Sequence, residues 1–292
     1  MKARRWRRGS LLGLVLAVTL LAAGCGDGTA TTAPAPVDAA LAAQVPEAIK
    51  DDGKILIGTD PTYAPNEFLK TDGKTITGFD VELFDAVATK LGLETEWQPA
   101  NFADIIPGVQ SGKYEVGVSS FTINPEREQQ VSMVSYFNAG TQWATKMGNP
   151  TGIQPYSACG KKVAVQTATI QQTIDLSKRQ QACESGGKPA IIIDSYQDQG
   201  QATAAVVSGK DDAMLADSPV VVYAVKQTGQ LQLLGGIYGS APYGYVIEKD
   251  QTKFAHLIAD AVKALITDGT YKAILDKWDV QAGAIKNPAV YP

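Results

Sequence analysis

The stretch Val116-Gly117-Val118-Ser119-Ser120-Phe121-Thr122-Ile123-Asn124-Pro125-Glu126-Arg127 joins a short apolar run to hydroxyl and charged side chains. The turn signal Ser111-Gly112-Lys113 precedes it, which favours a buried strand over residues 116–118 and places the hydroxyl groups at the strand's end. Pro125 suits the first position of a short helix that carries Arg127. Hydroxyls, backbone N–H groups and a guanidinium at one point predict a carboxylate site, because the guanidinium fork matches two carboxylate oxygens. The alternative is a polar turn with a surface arginine.

The segment before this stretch alternates strands with helices. Lys54–Thr59 and the residues near Glu94–Gln98 have the composition of strands, and Phe79–Leu91 repeats apolar residues every four positions, as an amphipathic helix does. A further helix is predicted over Ala103–Gln110. This order is typical of a parallel sheet with right-handed crossovers, in which ligands bind beyond the carboxyl ends of the strands. The residues expected there are Asp60, Tyr63, Phe102 and the run that begins at Ser119.

The same alternation restarts after a break at Gly148-Asn149-Pro150. Before the break, two separate strands are predicted over Gln130–Val134 and Gly140–Lys146. After it, strands are predicted at Lys161–Gln166, Ala190–Ile193 and Pro242–Glu248, and helices at Thr169–Ala182, Gln199–Ser208, Phe254–Leu265 and Tyr271–Trp278.

A short internal repeat relates the two halves of the sequence. Residues Ser111–Ser120 align with Ser208–Asp217, and each copy reads as a helix end, a Ser-Gly-Lys turn and an apolar strand with a polar tip. Ser120 and Asp217 are therefore equivalent positions. If the two halves face each other, both strand tips contact one ligand.

The run from Ser119 to Arg127 fits the pattern S-[SG]-x-[ST]-x-x-x-[KE]-R, and with it the chain resembles the polar amino-acid family of ABC-importer solute-binding proteins from about Lys54 to Asp279. The resemblance implies an α/β, two-lobed periplasmic-binding-protein type II fold, in which each lobe is a mostly parallel sheet flanked by helices. It also implies two hinge crossovers, near Trp143–Met147 and Gly239–Tyr245. Lobe 1 would comprise residues 46–145 and 243–292, and lobe 2 residues 146–242.

The resemblance also assigns ligand-binding roles to residues of both lobes. Arg127 would bind the ligand's carboxylate, and Asp217 its α-ammonium group, although Asp217 could instead cap a helix over Ser218–Val225. The loop Gln166-Thr167-Ala168-Thr169-Ile170-Gln171 resembles the family's [LQ]-x-G-T-T-x loop, which offers N–H groups to the carboxylate. Here Ala168 replaces the usual Gly and Ile170 the second Thr, so one hydroxyl is lost while the backbone donors remain.

Three residues are expected to contact the ligand's side chain. By resemblance, Tyr63 and Phe102 would sandwich it, and Asp60 would meet its far end, which favours a basic or glutamine-like ligand. The alternatives are core packing for the aromatic residues and capping of the turn at Pro61 and Thr62 for Asp60. The complete set of predicted ligand-binding residues is Asp60, Tyr63, Phe102, Ser119, Ser120, Thr122, Arg127, Gln166, Thr169, Ile170 and Asp217.

The N-terminus has the features of an export signal. A basic segment precedes an apolar run from Leu11 to Ala23, which is too short to span a bilayer as a helix. The sequence Leu21-Ala22-Ala23-Gly24-Cys25 looks like a lipobox, although Ala22 departs from the preferred Leu. We therefore expect a signal peptide over residues 1–24 and a lipidated flexible tether over residues 25–45, rich in Ala, Thr and Pro. The alternatives are an uncleaved anchor with a free cysteine and export by the twin-arginine route.

Composition narrows the remaining chemistry. The 292 residues are 45% hydrophobic, enough for one large domain or two moderate ones, and the formal net charge of −4 argues against nucleic-acid binding. In an exported protein, Cys159 and Cys183 are expected to form a disulfide rather than a metal site, with two free thiols as the alternative. His256 is the only histidine and is predicted to be solvated, far from the expected cleft. We expect no metal and no cofactor.

These features together predict an extracytoplasmic lipoprotein. It would be a monomer, anchored to the cell membrane, that captures a polar amino acid between two lobes and delivers it to ABC permease subunits. The main alternative is an enzyme of the same fold, similar to the periplasmic cyclohexadienyl dehydratases. A receptor or sensor role ranks third.

Overall fold

The computed structural model describes residues 36–292. The predicted signal peptide, the predicted lipidation site Cys25 and residues 25–35 of the predicted tether lie outside the described residues. Among residues 36–292, no helix combines the length and the apolar character needed to cross a membrane.

Strands and helices alternate along most of the described chain. The strands are β1 (Lys54–Thr59), β2 (Thr62–Tyr63), β3 (Glu67–Leu69), β4 (Ile76–Thr77), β5 (Glu94–Pro99), β6 (Val116–Gly117), β7 (Ser132–Lys146), β8 (Lys162–Gln166), β9 (Ile192–Tyr196), β10 (Ala213–Asp217), β11 (Leu231–Ile247) and β12 (Val290–Tyr291). The α-helices are α1 (Ala39–Ala42), α2 (Glu47–Lys50), α3 (Phe79–Lys90), α4 (Phe102–Gln110), α5 (Pro125–Glu128), α6 (Ser177–Ser185), α7 (Gln199–Ser208), α8 (Ser218–Thr228), α9 (Thr252–Asp268) and α10 (Thr270–Lys277). A π-helical turn, Gln171–Leu176, precedes α6, and a 3₁₀ turn, Gln281–Gly283, follows α10.

The main sheet has the order β5-β1-β6-β11-β7-β10-β8-β9, and β12 pairs with β7. At one end β1 runs parallel to both β5 and β6, and at the other β8 runs parallel to both β9 and β10. The long antiparallel pair β7 and β11 joins the two parallel parts. This is the predicted two-lobed α/β architecture.

Two predicted strand breaks are absent. Residues 130–134 and 140–146 belong largely to one continuous strand, β7, and the strand predicted from Pro242 begins already at Leu231 in β11. The pairing of β7 with β11 changes register between Leu234 and Tyr238, between Tyr238 and Ala241, and between Tyr243 and Gly244. The pairing of the two long strands with each other keeps the backbone extended through the predicted breaks. The lobe boundaries and hinges stay predictions.

Each lobe has its own apolar core. In the first, Phe79, Leu83 and Val87 of α3 are fully buried against the sheet together with Ile258 and Leu265 of α9. The predicted repeat of apolar residues along α3 and along α9 therefore brings these side chains to one face of each helix. In the second, the core includes Ile153, Val163, Leu176 and Leu215, and the predicted disulfide between Cys159 and Cys183 packs against it.

The end of the predicted tether is folded. The Asp38 carboxylate caps α1 by accepting two of its N–H groups at 3.0 and 3.2 Å, and the Asp38 N–H donates to the Lys90 carbonyl at 3.0 Å. Leu41 and Val45 pack against the first core. The prediction of a flexible segment is wrong for residues 38–45, because these two apolar side chains bury enough surface to order a segment of otherwise small residues.

Candidate functional site

One pocket lies where strands of both lobes end. All the predicted ligand-binding residues line it, and Gln171 is the one additional residue. The carboxyl ends of β1, β8 and β10 supply Asp60, Gln166 and Asp217, as the rule for open α/β sheets predicts.

Two residues that line or border this pocket adopt the left-handed backbone conformation. Ser120 has φ of 52° and Ala168 has φ of 64°. The turn at Ala168 occupies the position where the family pattern has Gly, which adopts this conformation without a Cβ clash. The Ala168 N–H donates to the Gln172 side chain at 2.6 Å, which holds the turn before the π-helical segment.

Arg127 enters the pocket from α5. Asn124 caps this helix by accepting the Arg127 N–H at 2.9 Å, and the guanidinium donates from Nη1 to the Thr122 carbonyl at 2.8 Å and from Nη2 to the Ala168 carbonyl at 3.4 Å. It also lies over the rings of Phe102 and Phe121, at 5.3 and 5.2 Å from the centroids. The side chain is buried, so it is not the surface arginine of the alternative interpretation.

The charge of Arg127 is only partly balanced. Burial lowers the pKa of its guanidinium to about 10, while the nearby Asp217 acts in the opposite direction. Within residues 36–292 no carboxylate lies within 4.0 Å of the guanidinium. Arg127 is therefore a cation at neutral pH, with free donors directed at the pocket.

Asp217 occupies the N-cap position of α8, but its side chain makes no capping hydrogen bond. Its carboxylate instead accepts from the Tyr63 hydroxyl at 3.0 Å and from Gln171 Nε2 at 2.8 Å. Burial raises the pKa of Asp217, and these hydrogen bonds oppose the rise. The carboxylate thus lines the pocket, as the interpretation from the resemblance requires and the capping alternative does not.

Asp60 is almost fully buried at another wall of the pocket. One carboxylate oxygen accepts from Gln166 Nε2 at 2.7 Å and from the Phe102 N–H at 3.1 Å. Burial raises the pKa of Asp60 to about 6, and a hydrogen bond from Thr62 is the largest of the opposing effects. In the part of the chain that the structure describes, Asp60 makes no ion pair. A cationic group in the pocket would supply the missing partner.

The two aromatic residues line the pocket but have further partners. Phe102 stacks on Phe121 with 4.6 Å between centroids and an angle of 19°, and Tyr63 is held by its bond to Asp217. Both the predicted contact with the pocket and the alternative of core packing therefore apply to Phe102. Thr169 donates to the Gln166 carbonyl at 2.8 Å, which fixes the loop that also presents Ile170.

Several hydrogen bonds connect the predicted lobes at the pocket. They include Gln166 to Asp60, Tyr63 to Asp217, the Asp217 N–H to the Tyr63 hydroxyl at 3.2 Å, and Arg127 to the Ala168 carbonyl. Outside the pocket, the Gln199 N–H donates to the Thr62 hydroxyl at 3.3 Å. The structure is thus a closed form, in which polar groups of one predicted lobe are hydrogen-bonded to polar groups of the other.

Gln171 is the pocket residue that sequence reasoning missed. Its amide donates to Asp217 at 2.8 Å and to the Thr141 hydroxyl at 3.1 Å, and the side chain is buried. It lies at the start of the π-helical turn, a feature common at functional sites. Its position directly after Ile170, in the loop that resembles the family pattern, could have indicated that Gln171 lines the pocket.

The remaining predictions concern residues outside the pocket. His256 is exposed on α9, as predicted. Among the described residues, no group of three or more His, Cys, Asp or Glu side chains is arranged to hold a metal ion.

Comparison with known proteins gives a consistent result. Residues 55–281 match the sequence profile of the bacterial extracellular solute-binding proteins, family 3. The arginine-binding protein ArgT of Corynebacterium glutamicum is 37% identical over 265 residues, which cover 90% of this chain and 86% of that protein.

Solved structures resemble the fold as well. An ancestral arginine-binding protein bound to arginine superposes with a TM-score of 0.70 and 31% identity, covering 77% of this chain and 98% of that one. An ancestral amino-acid-binding protein described as a precursor of cyclohexadienyl dehydratase gives the same TM-score and identity, covering 80% and 98%. The profile match and these relatives show that the chain belongs to family 3 of the bacterial extracellular solute-binding proteins.

Proposed function

We propose that this protein captures a cationic amino acid, with arginine preferred, between its two lobes outside the membrane and delivers it to the permease of an ABC importer. The family membership and the arginine-binding relatives support the class of ligand. The observation that carries the preference for a cation is the buried, unpaired carboxylate of Asp60 in the same pocket as Arg127 and Asp217.

The two ends of an amino acid have complementary partners. Arg127 would bind the α-carboxylate with its free donors, assisted by the N–H groups of Thr169 and Ile170, and Asp217 would bind the α-ammonium group. Charge-assisted hydrogen bonds of about 1.5–3 kcal/mol each supply much of the roughly 8 kcal/mol that micromolar affinity requires. Gln171 would act by holding the Asp217 carboxylate in place.

The side chain of the ligand would extend towards Asp60. The ring of Phe102, beside the pocket's acid, suits a guanidinium, which both stacks on aromatic faces and pairs with a carboxylate. Glutamine would gain a hydrogen bond there without the charge, and glutamate would be repelled.

Isothermal titration calorimetry of the purified protein with arginine, lysine, glutamine and glutamate tests this proposal. We expect arginine to bind most tightly, and Asp60→Asn to weaken arginine by about 10- to 100-fold and glutamine far less, because only arginine loses a charged partner. Asp104→Asn, which removes an exposed acid two residues after Phe102, is the matched control and should leave both affinities unchanged. Tight binding of glutamate with arginine inert would refute the proposal.

The enzyme alternative has a direct test. The relatives described above are binding proteins, although one is described as a precursor of a dehydratase. We expect no turnover when purified protein is incubated with prephenate or arogenate. Turnover that Asp60→Asn or Asp217→Asn abolishes would assign the pocket to catalysis instead.

We further propose the lipoprotein form. The lipobox-like sequence ending at Cys25 would supply a lipid anchor, and residues 26–37 would link this anchor to the folded part. The protein would act as a monomer. We also propose that the chain passes from lobe 1 to lobe 2 at about residue 145 and returns to lobe 1 at about residue 243.

A further inference from the structure

We propose that Glu67 and Asp80 form a proton-sharing pair of acids beneath the pocket and act as positioning residues, turning the hydroxyl groups of Ser119 and Ser120 into acceptors for the ligand's N–H groups. This inference deepens the proposed function and rests on it for the identity of the ligand. Neither acid lines the pocket itself.

The two acids meet because the start of α3 docks on the segment before β3. The Phe79 N–H donates to the Pro65 carbonyl at 3.1 Å, and the Asp80 N–H donates to the Asn66 carbonyl at 3.0 Å. Glu67 is the first residue of β3, and both carboxyl groups are completely buried. The short backbone contact therefore places two acids side by side in the interior.

Both carboxyl groups reach the serine hydroxyls. The Ser119 hydroxyl donates to Glu67 Oε1 at 3.1 Å. The Ser120 hydroxyl lies 3.2 Å from Glu67 Oε2 and 3.0 Å from Asp80 Oδ2. Since both serines line the pocket, the acids are one hydrogen bond away from the ligand.

The hydrogen bonds of Asp80 indicate where the proton lies. Its Oδ2 accepts from the Tyr136 hydroxyl at 2.6 Å and from the Ser120 N–H at 3.1 Å, whereas its Oδ1 is buried with no partner. A side-chain hydrogen bond also joins Asp80 to Glu67, and two carboxyl groups can form one only if one of them carries a proton. Burial and the charge of Asp80 raise the pKa of Glu67 well above its usual range. Hydrogen bonds from Tyr136 and Ser120 oppose the effect of burial on the pKa of Asp80, which is raised only to about 6.

No positive charge offsets this pair in the described part of the chain. The groups that face it are the carboxylate of Asp60 from the end of β1 and five phenols, those of Tyr63 from β2, Tyr136 from β7, Tyr243 and Tyr245 from β11, and Tyr271 from α10. Two adjacent buried carboxylates without a cation cannot both ionise at neutral pH. Glu67 therefore holds the proton and Asp80 the negative charge.

The hydrogen bonds to the two acids determine the direction in which each serine hydroxyl group points its hydrogen. The Ser119 hydroxyl directs its hydrogen at Glu67 and accepts the Asp60 N–H at 3.1 Å, which leaves one lone pair for the pocket. The Ser120 hydroxyl accepts from Asn66 Nδ2 at 2.7 Å and directs its hydrogen at Asp80. Both hydroxyls thus suit an ammonium or guanidinium group rather than a carboxylate, which revises the role predicted for them from the sequence.

Amide substitutions distinguish the two acids. Glu67→Gln keeps a donor for the Asp80 carboxylate and an acceptor for Ser119, so we expect its dissociation constant for arginine to stay within about 3-fold of wild type, with the same pH profile from about pH 5 to 8. Asp80→Asn removes the charge that orients Ser120 and should weaken arginine by about 10-fold or more. Glu67→Leu, which can neither donate nor accept, should weaken arginine similarly and identifies a positioning role even if Asp80→Asn does not fold.

The matched control is Asp85→Asn. Asp85 lies on the same helix and accepts from the Thr95 hydroxyl at 2.6 Å and Trp97 Nε1 at 2.9 Å, away from the pocket. This variant should alter stability without altering affinity. If Glu67→Leu and Asp80→Asn behave in the same way, changing stability but not affinity, the positioning role is refuted.

Infrared spectroscopy tests the proton without any ligand. At about pH 7, wild-type protein should show the carbonyl stretch of a protonated carboxylic acid, and Glu67→Gln should lack it. The absence of this band in wild type, or its persistence in Glu67→Gln, would overturn the proton assignment. Because this readout needs no ligand, its outcome is separate from a failure of arginine to bind, which would overturn the proposed function instead.

Discussion

Replacement of Arg127 by Met should abolish most ligand binding while leaving the unliganded fold nearly as stable. Methionine keeps an apolar side chain beside the stacked rings of Phe102 and Phe121 and removes the guanidinium, which is the partner proposed for the ligand's carboxylate. Two charge-assisted hydrogen bonds of about 1.5–3 kcal/mol each are lost, so affinity for arginine should fall by about 10²- to 10⁴-fold. Arg127→Lys keeps the charge without the fork and should fall between wild type and Arg127→Met.

The same substitution should change the stability of the unliganded protein much less than it changes affinity. The pKa of Arg127 is lowered in the folded protein from 12.5 to about 10, so burial disfavours its charged form. At neutral pH this lowers the free energy of unfolding, whereas the hydrogen bond to the Thr122 carbonyl raises it. These effects oppose each other, and we expect the free energy of unfolding of Arg127→Met to differ from wild type by less than about 1 kcal/mol.

Arg179 offers a matched control because it is a half-buried arginine with similar aromatic contacts and a satisfied charge. Its Nε pairs with Asp175 at 2.7 Å, and it lies over the rings of Trp143 and Tyr238. Arg179→Met should therefore lower stability and leave affinity unchanged. Calorimetry gives affinity, and urea unfolding without ligand gives stability. Wild-type affinity in Arg127→Met, or equal loss of affinity in both variants, would refute the reasoning.

Four further predictions follow from single features of the chain. Ala168→Gly should raise the free energy of unfolding by about 0.5–1 kcal/mol in urea unfolding, because Gly relieves the strain at φ of 64°; a loss of stability would contradict this. The folded-state pKa of Asp60 is raised from 3.8 to about 6, so unliganded protein should lose stability as pH rises between these values while arginine affinity increases. Asp60→Asn should weaken both trends and leave the part that Asp80, whose pKa is also raised to about 6, contributes. Breaking the Cys159–Cys183 bridge, which spans 24 positions, should cost about 3 kcal/mol in the same unfolding assay, and an unchanged midpoint would argue against it. Cys25→Ser should move the protein from the detergent phase to the aqueous phase, and unchanged partitioning would refute the lipid anchor.

The elements that the sequence predicts well depend on local pattern. β1 and α4 form almost where periodicity and turn residues place them, and α3 ends one residue before its predicted boundary. The pocket residues were predictable for a different reason, since polar side chains at the ends of parallel strands converge on one edge of the sheet whatever the details of packing.

The features that sequence reasoning misses depend on contacts between distant segments. The continuity of β7 and β11 arises from their pairing with each other, and the folded position of Asp38 depends on a hydrogen bond to Lys90. Asp80 was hidden because an acid in the first turn of a helix is expected from the helix dipole alone. Only the approach of β3 shows that it is buried beside Glu67.

The charge of the whole pocket gives an independent reason for a cationic ligand. With Asp60, Asp217 and Asp80 ionised and Glu67 protonated, as proposed above, the walls of the pocket and the layer beneath it carry three negative charges against the one positive charge of Arg127. Arginine brings two positive groups and one negative group, so its binding reduces the excess of negative charge, whereas zwitterionic glutamine leaves the excess as it is and glutamate increases it. Because unbalanced charge in a desolvated site is costly, the preference for a cation follows from the sum of these groups and not only from the position of Asp60. Neutralising Asp80 should accordingly narrow the gap between arginine and glutamine affinity, even though Asp80 touches neither ligand.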